Sequence, residues 1–493
     1  MSSQPSIIQS MTVIDPENRS QQRLLWLVAL GFFMQTLDAT IVNTALPAMA
    51  QSLHESPLRM QSVIVAYSLA MAMLIPASGW VADRFGTRRV YVAAITLFAL
   101  GSLLCALSTS LPLLVASRVV QGLGGALLLP VGRLAVLRTF PKERFLQAMS
   151  FIAIPGLIGP LIGPTLGGWL VEVASWHWIF LINLPVGVIG AVAAYFFMRS
   201  GPAVSVARFD WSGYLWLATG MVTLSLALDG LSGLGLGQAG VLVLLVFGLA
   251  SLVAYWLHAM RSPAPLFSPQ LFSVASLAIG LLGNLFSRLG SSCMPFLVPL
   301  LLQVSLGYSP FEAGLMMLPV AMAGMAVKRI TTPLITRLGY RRVLVGNTAL
   351  VGLAMMSFAL ISPGQPLGLR LLQLAVFGAV NSIQFTAMNT LTLKDLEGTQ
   401  ASSGNSLLSM VQMLAMGMGV AVAGAVLAGF AALLGPGGNA SATHLDTLSS
   451  FHATFVTMGL ITLASAAIFW QLPSGLEPGL VRGNADAAGP HEP

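Results

Sequence analysis

Apolar runs long enough to cross a bilayer, parted by short polar breaks, recur fourteen times along this chain. They lie near 24–47, 60–82, 90–108, 111–136, 146–171, 176–198 and 211–230. The rest are near 238–259, 273–303, 311–335, 343–361, 367–393, 403–434 and 451–472. About 20 apolar residues of helix span a hydrocarbon core about 30 Å thick. In lipid the backbone must satisfy its own polar groups, which leaves helices or closed barrels. Runs of this length select the helix. The expected fold is an all-α integral membrane protein with fourteen transmembrane helices. Only 8% of its residues are charged, against roughly a quarter in soluble domains.

The placement of charge orients the chain. An even number of spans puts both ends on one side. Of 23 basic residues, all but four fall in breaks on that side or within snorkelling reach of it. Arg59 and Arg370 lie on the opposite side, while Arg118 and Arg288 fall inside spans. Basic residues mark the cytoplasmic face, so both termini are expected in the cytoplasm. The net charge of +7 is therefore a topology signal and points to no nucleic-acid partner. Residues 1–23 read as a polar cytoplasmic tail without a cleavable leader, the first span serving as an uncleaved signal-anchor. Residues 473–493 form the other tail. Cys105 and Cys293 stand alone in apolar runs and the histidines are scattered, so no disulfide, metal site or cofactor is expected. A phosphate-binding G-x-x-x-x-G-K-[ST] loop is also missing, so this chain does not hydrolyse ATP by that route.

One break recurs. Arg84-Phe85-Gly86-Thr87-Arg88-Arg89 follows span two, and Arg337-Leu338-Gly339-Tyr340-Arg341-Arg342 follows span ten. Copies eight spans apart suggest two six-span bundles, 24–200 and 272–472, with a two-helix hairpin inserted at 210–260. The second copy carries Thr336 where the first has Asp83. A short Gly-rich break, Leu231–Gly237, closes the hairpin, and a Pro-rich linker, Arg261–Pro269, precedes span nine.

Charges inside spans are costly and mark functional sites. Asp38 lies about 21 Å of helical rise from Leu24, roughly 9 Å short of the far face. Arg118 lies about 10 Å below that same face on span four, and Arg288 is about 22 Å into span nine. The three sit at similar depth. Glu172, Asp229 and Glu312 fall at outer span ends, where solvation accounts for them. Gln35, Asn43, Asn284, Asn381 and Gln384 could contact a substrate, although helix–helix hydrogen bonds account for such residues equally well. On span five, Gly159 and Gly163 repeat every four residues with Pro160 and Pro164 beside them. This suits either close static packing or a flexible seam between halves.

Five ordered motifs along the first six spans carry a resemblance that covers essentially the whole chain. They are Leu37–Pro47 (LDATIVNTALP), Gly79–Arg89 (GWVADRFGTRR), Arg118–Ala126 (RVVQGLGGA), Gly156–Gly168 (GLIGPLIGPTLGG) and Trp176–Gly187 (WHWIFLINLPVG). Together they resemble the major facilitator superfamily in its fourteen-span drug:proton antiporter branch. Val81 stands where Leu is usual and His177 where Arg is usual. The resemblance implies a major facilitator fold in a bacterial inner membrane. It also implies a monomer exporting a small molecule, nominally a range of drugs, against a flow of protons. Asp38 and Arg118 are then expected to meet in a central cavity, with Asp38 carrying the proton. Arg288, on the second half's counterpart of span one, sets two cations against one anion, which favours an organic anion or metal chelate as solute. Gly79, Asp83, Gly86 and Arg88 would form the cytoplasmic gate, Asp83 meeting the start of span thirteen at Ser402–Asn405. A receptor, a scaffold or a gated channel on the same fold are the rivals. An enzyme is not expected, because no nucleophile–base or metal constellation is present.

Overall fold

The computed structural model describes residues 16–140, 142–198, 209–230, 238–396, 398–434 and 444–472. These residues form helices joined by short turns, with no strand among them. Twelve helical stretches are long and apolar enough to cross a membrane. Two further passes complete fourteen. One is span five, Lys142–Val173, whose helix runs on through Pro155, Pro160 and Pro164. The other is span ten, broken into Pro310–Met316, Leu318–Ala326 and the start of Lys328–Ser357. Its prolines at 310 and 319 sit in the first turns of two of those pieces, where a missing N–H costs nothing. Span one starts earlier than its apolar run, at Pro16, so the last eight residues of the expected tail are helical. The chain ends, the 231–237 break and the side chain of Asp229 lie outside the described set.

Spans one to six pack chiefly on one another, as do spans nine to fourteen. The two groups meet where span two lies on span thirteen, span five on span ten and span one on span nine. The meeting is closest at the end away from the chain termini. There the Thr165 hydroxyl donates to the Gly314 carbonyl at 3.1 Å. The Gln303 amide donates to the Thr44 carbonyl at 3.1 Å, and the Phe311 N–H donates to Glu172 at 2.9 Å. A methyl group at Gly168 or Gly314 would run into backbone of the opposite helix. Toward the termini the same pair separates. No residue of Leu318–Ala326 is buried, and Met322 is 60% exposed. The two groups are closed on each other at the far end and part between spans five and ten toward the termini, leaving a cleft there, while spans two and thirteen stay in contact as far as Ile75 and Ser406.

The repeated break is a repeated backbone. Gly86 has φ +85° and Gly339 φ +78°, two of three glycines in the left-handed region among the described residues. Each ends one helix and starts the next, and only glycine adopts that geometry without strain. Gly86→Ala should cost about 1 kcal/mol or more. Gly79→Ala is the control, since a methyl there meets nothing. Thermal unfolding of the two variants in detergent should show a lowered midpoint for Gly86→Ala alone.

The inserted hairpin is tied to both halves. Span seven (Trp211–Gly230) packs on spans two and thirteen. Ahead of it, the Phe209 ring lies 5.0 Å from that of Trp80, near the end of span two. Asp210 accepts from the Gly213 and Leu266 N–H groups and pairs with His258 at 2.7 Å. Tyr255 fastens Phe267 of the linker through both its N–H and its carbonyl. Asp210→Ala should therefore free the linker and raise its protease sensitivity while leaving spans one to six intact. Limited proteolysis read by mass spectrometry checks this.

Candidate functional site

Asp38 and Arg118 meet. Arg118 Nη1 donates to Asp38 Oδ2 at 2.7 Å, and their side chains are 2% and 0% exposed. Two side chains absent from the candidate set complete the site. Gln121 Nε2 donates to Asp38 Oδ1 at 2.8 Å and Asn183 Nδ2 to the same oxygen at 3.1 Å. Both amides also donate to Ser102. Arg118 is held in turn by the Gln121 carbonyl oxygen at 2.6 Å and the Val63 carbonyl at 3.3 Å. The Tyr67 ring lies 4.1 Å beneath its guanidinium. Gln121 stands three residues after Arg118, on the same helix face, and Asn183 lies inside the Trp176–Gly187 motif. Their place in two motifs was the available signal.

The setting corrects the expectation of a shared cavity. Asp38 and Arg118 turn into the interior of the first half, among spans one, two, three, four and six, and are sealed from the cleft. A buried pair of this kind needs its remaining lone pairs and protons satisfied. Three donors on Asp38 and three partners on Arg118 do so. Arg288 stands apart. It is half-buried on span nine, with its guanidinium 4.5 Å over the Phe385 ring of span twelve. Its Nε is buried without a hydrogen-bond partner, and no carboxylate pairs with it among the described residues. Phe385 is 43% exposed and lies half a turn around span twelve from the exposed Leu369, Leu372 and Val376. Its exposure therefore opens toward the cleft.

Other polar candidates divide. Asn284 donates to Gly280 and accepts from Gln412, which also binds Asn389, so a chain of amides runs one turn below Arg288. Asn381 is half-buried on the Phe385 face, without a hydrogen bond among the described residues. Gln384 turns aside to Asn347 and Thr348 of span eleven at 2.8 and 2.6 Å, so it locks two helices and lines no cavity. Gln35 is buried with only a weak 4.0 Å contact to the Met71 sulfur, its own oxygen unpaired. Asn43 donates to the Thr40 carbonyl within its own helix.

The gate candidates are also redistributed. Asp83 pairs with Arg138 of span four, in its own half, and not with the start of span thirteen. Arg88 lies 4.6 Å over the Tyr195 ring, joining span three to span six. Gly79 faces open space. The Gly159 and Gly163 stripe packs inside the first half, where a methyl would strike Thr36 or Thr40 of span one. Pro160 is exposed. Of the four, Pro164 alone reaches the seam: its carbonyl accepts from Thr44 at 3.1 Å and lies against Gly314. Among the described residues no group of His, Cys, Asp and Glu could hold a metal ion.

Comparison with known proteins agrees with this architecture. The family model described as Major Facilitator Superfamily matches residues 28–420. A protein named "Putative multidrug resistance protein MdtD" from Pectobacterium carotovorum subsp. carotovorum (strain PC1) is 52% identical over 450 residues. The alignment covers 91% of this chain and 95% of that protein. A relative of the same name from Yersinia enterocolitica serotype O:8 is 50% identical, covering 94% and 98%. Among solved structures, a POT family transporter in complex with 5-aminolevulinic acid superposes with a TM-score of 0.67 at 17% identity, over 91% of this chain and 95% of that one. The nucleoside transporter NupG does so at 0.58 and 14%, over 91% and 98%. Those two share the fold alone. Half-identical relatives along nearly the whole length, a family model over most of it and an all-α bundle of membrane helices place this chain in the major facilitator superfamily.

Proposed function

We propose that this protein is a proton-driven exporter of small molecules, working by alternating access between two six-span bundles in a bacterial inner membrane. Both termini lie in the cytoplasm, and the protein works as a monomer. The relatives' name supports multidrug efflux as the general class. The observation that carries the coupling is the route from Asp38 to the seam. Span one presents Asp38 to its own bundle and, on another face, sets Thr36, Thr40 and Thr44 against span five. Thr44 touches Pro164 of span five through its hydroxyl and Gln303 of the second half through its carbonyl. Protonating Asp38 removes the charge that three donors hold. Span one can then shift, and Thr44, six residues further along it, is built into the contact closing the far side.

In this scheme the structure corresponds to the inward-open stage, with Asp83 and Arg138 free of the second half. A proton entering from the periplasm and a solute leaving the cytoplasm bind alternately. Arg288, with Phe385 behind it and amides on either side, suits an organic anion or its metal chelate better than a lipophilic cation. A guanidinium offers a planar fork to a carboxylate, and among the described residues no acid pairs with it to attract a cation.

Purified protein in vesicles with an imposed pH gradient tests the proposal. Labelled organic anions, metal chelates and lipophilic cations are offered in turn. Uphill movement that stops when the gradient is collapsed is expected, with anions preferred. Ionic current independent of the gradient would establish a channel. Binding without movement would establish a receptor.

A further inference from the structure

A groove of about 400 Å³ runs between spans one and six at the end carrying the termini. Gln22, Arg23, Trp26 and Leu30 line one wall, and Ala193 and Phe197 the other. The walls are built by helical spacing: residues 22, 26 and 30 stack on one face of span one, while 193 and 197 do so on span six. Over eight residues the groove runs about 12 Å along the helix axis. Its polar end holds Gln22 and Arg23, and its other end is apolar. Arg23 is fixed, its guanidinium lying 4.8 Å over the Phe197 ring. The stack covers one face of the planar group and leaves its in-plane N–H donors free. No carboxylate pairs with Arg23 among the described side chains. Trp26, 62% exposed, is held edge-on by Phe151 at 4.9 Å.

We infer that this groove binds an anionic glycerophospholipid, its phosphate on Arg23 and Gln22 and the start of one acyl chain along Leu30 and Ala193. Charge, polarity gradient and direction all match such a lipid. The groove lies parallel to the helices, hence to a lipid chain, with its cation at the level where Trp and basic residues meet headgroups. Arg88 over Tyr195 sets a second guanidinium at the same end of span six. A lipid seated here would bridge the first and last spans of the first half. The proposal is independent of the transported solute.

Full-length protein in nanodiscs of mixed phosphatidylglycerol and phosphatidylethanolamine is released into the gas phase, and retained lipids are counted by native mass spectrometry. Wild type should retain phosphatidylglycerol preferentially. Arg23→Gln should lower that preference about five-fold, the usual worth of one basic residue near an anionic surface. Arg23→Lys should keep most of it. Arg261→Gln, the same charge change at the end of span eight, should leave it unaltered. Equal retention by wild type and Arg23→Gln overturns the inference, as does an equal loss in Arg261→Gln. Displacement by inorganic phosphate also overturns it, by showing a site for soluble anions. Elution as a single species confirms that each variant is folded.

Discussion

Asp38→Asn is expected to abolish the dependence of export on a pH gradient, so that rates with and without the gradient become equal. Asp38 is the one acid well inside a span among the described residues, and without a titratable group there the proposed cycle has no proton to exchange. The variant also leaves Arg118 buried with no counter-charge. Breaking such a pair costs about 3–5 kcal/mol, so lost transport could be confused with lost fold. The double variant Asp38→Asn/Arg118→Gln removes both charges and should recover much of the thermal stability, yet remain uncoupled. Stability and coupling thus part company. Full gradient-driven export by either variant would assign the proton to another group.

Much of this site could be anticipated because helical rise converts residue number into depth. Asp38 and Arg118, counted in from opposite ends of two runs, come out level and are bonded in the structure. Rise says nothing of azimuth until the neighbours are known. Gln384 and Phe385 are adjacent in sequence, yet the first is spent on span eleven and the second opens to the cleft. The span-five glycines show the same limit. Their four-residue spacing announces a close helix contact, but two partners were possible and span one took it. Asp83 is a third case. The motif around it predicts a gate meeting span thirteen, but a motif does not name a carboxylate's partner, and here that partner is Arg138 in its own half.

The second large effect concerns Arg288. Its guanidinium has an aromatic ring behind it and an unpaired Nε, and no acid neutralises it among the described residues. An isolated cation in such surroundings is a burden to the fold. Arg288→Ala should therefore leave the unfolding temperature unchanged or raise it, in contrast to Asp38→Asn. Binding should move the other way. Losing one partner of a buried, hydrogen-bonded charge pair costs about 2–5 kcal/mol. The affinity for an organic anion should thus fall at least about thirty-fold by calorimetry on the purified protein. Arg288→Lys keeps the charge without the fork and should recover only part of it. Phe385→Leu tests the support: the cation remains but loses its platform, and anion affinity should fall by a few-fold, as expected for a cation–π contact of about 0.5–1 kcal/mol. If Arg288→Ala binds and exports the same anions as wild type, the recognising charge lies elsewhere, and the half-buried Arg133 on span four, whose Nε is also unpaired, becomes the next group to replace.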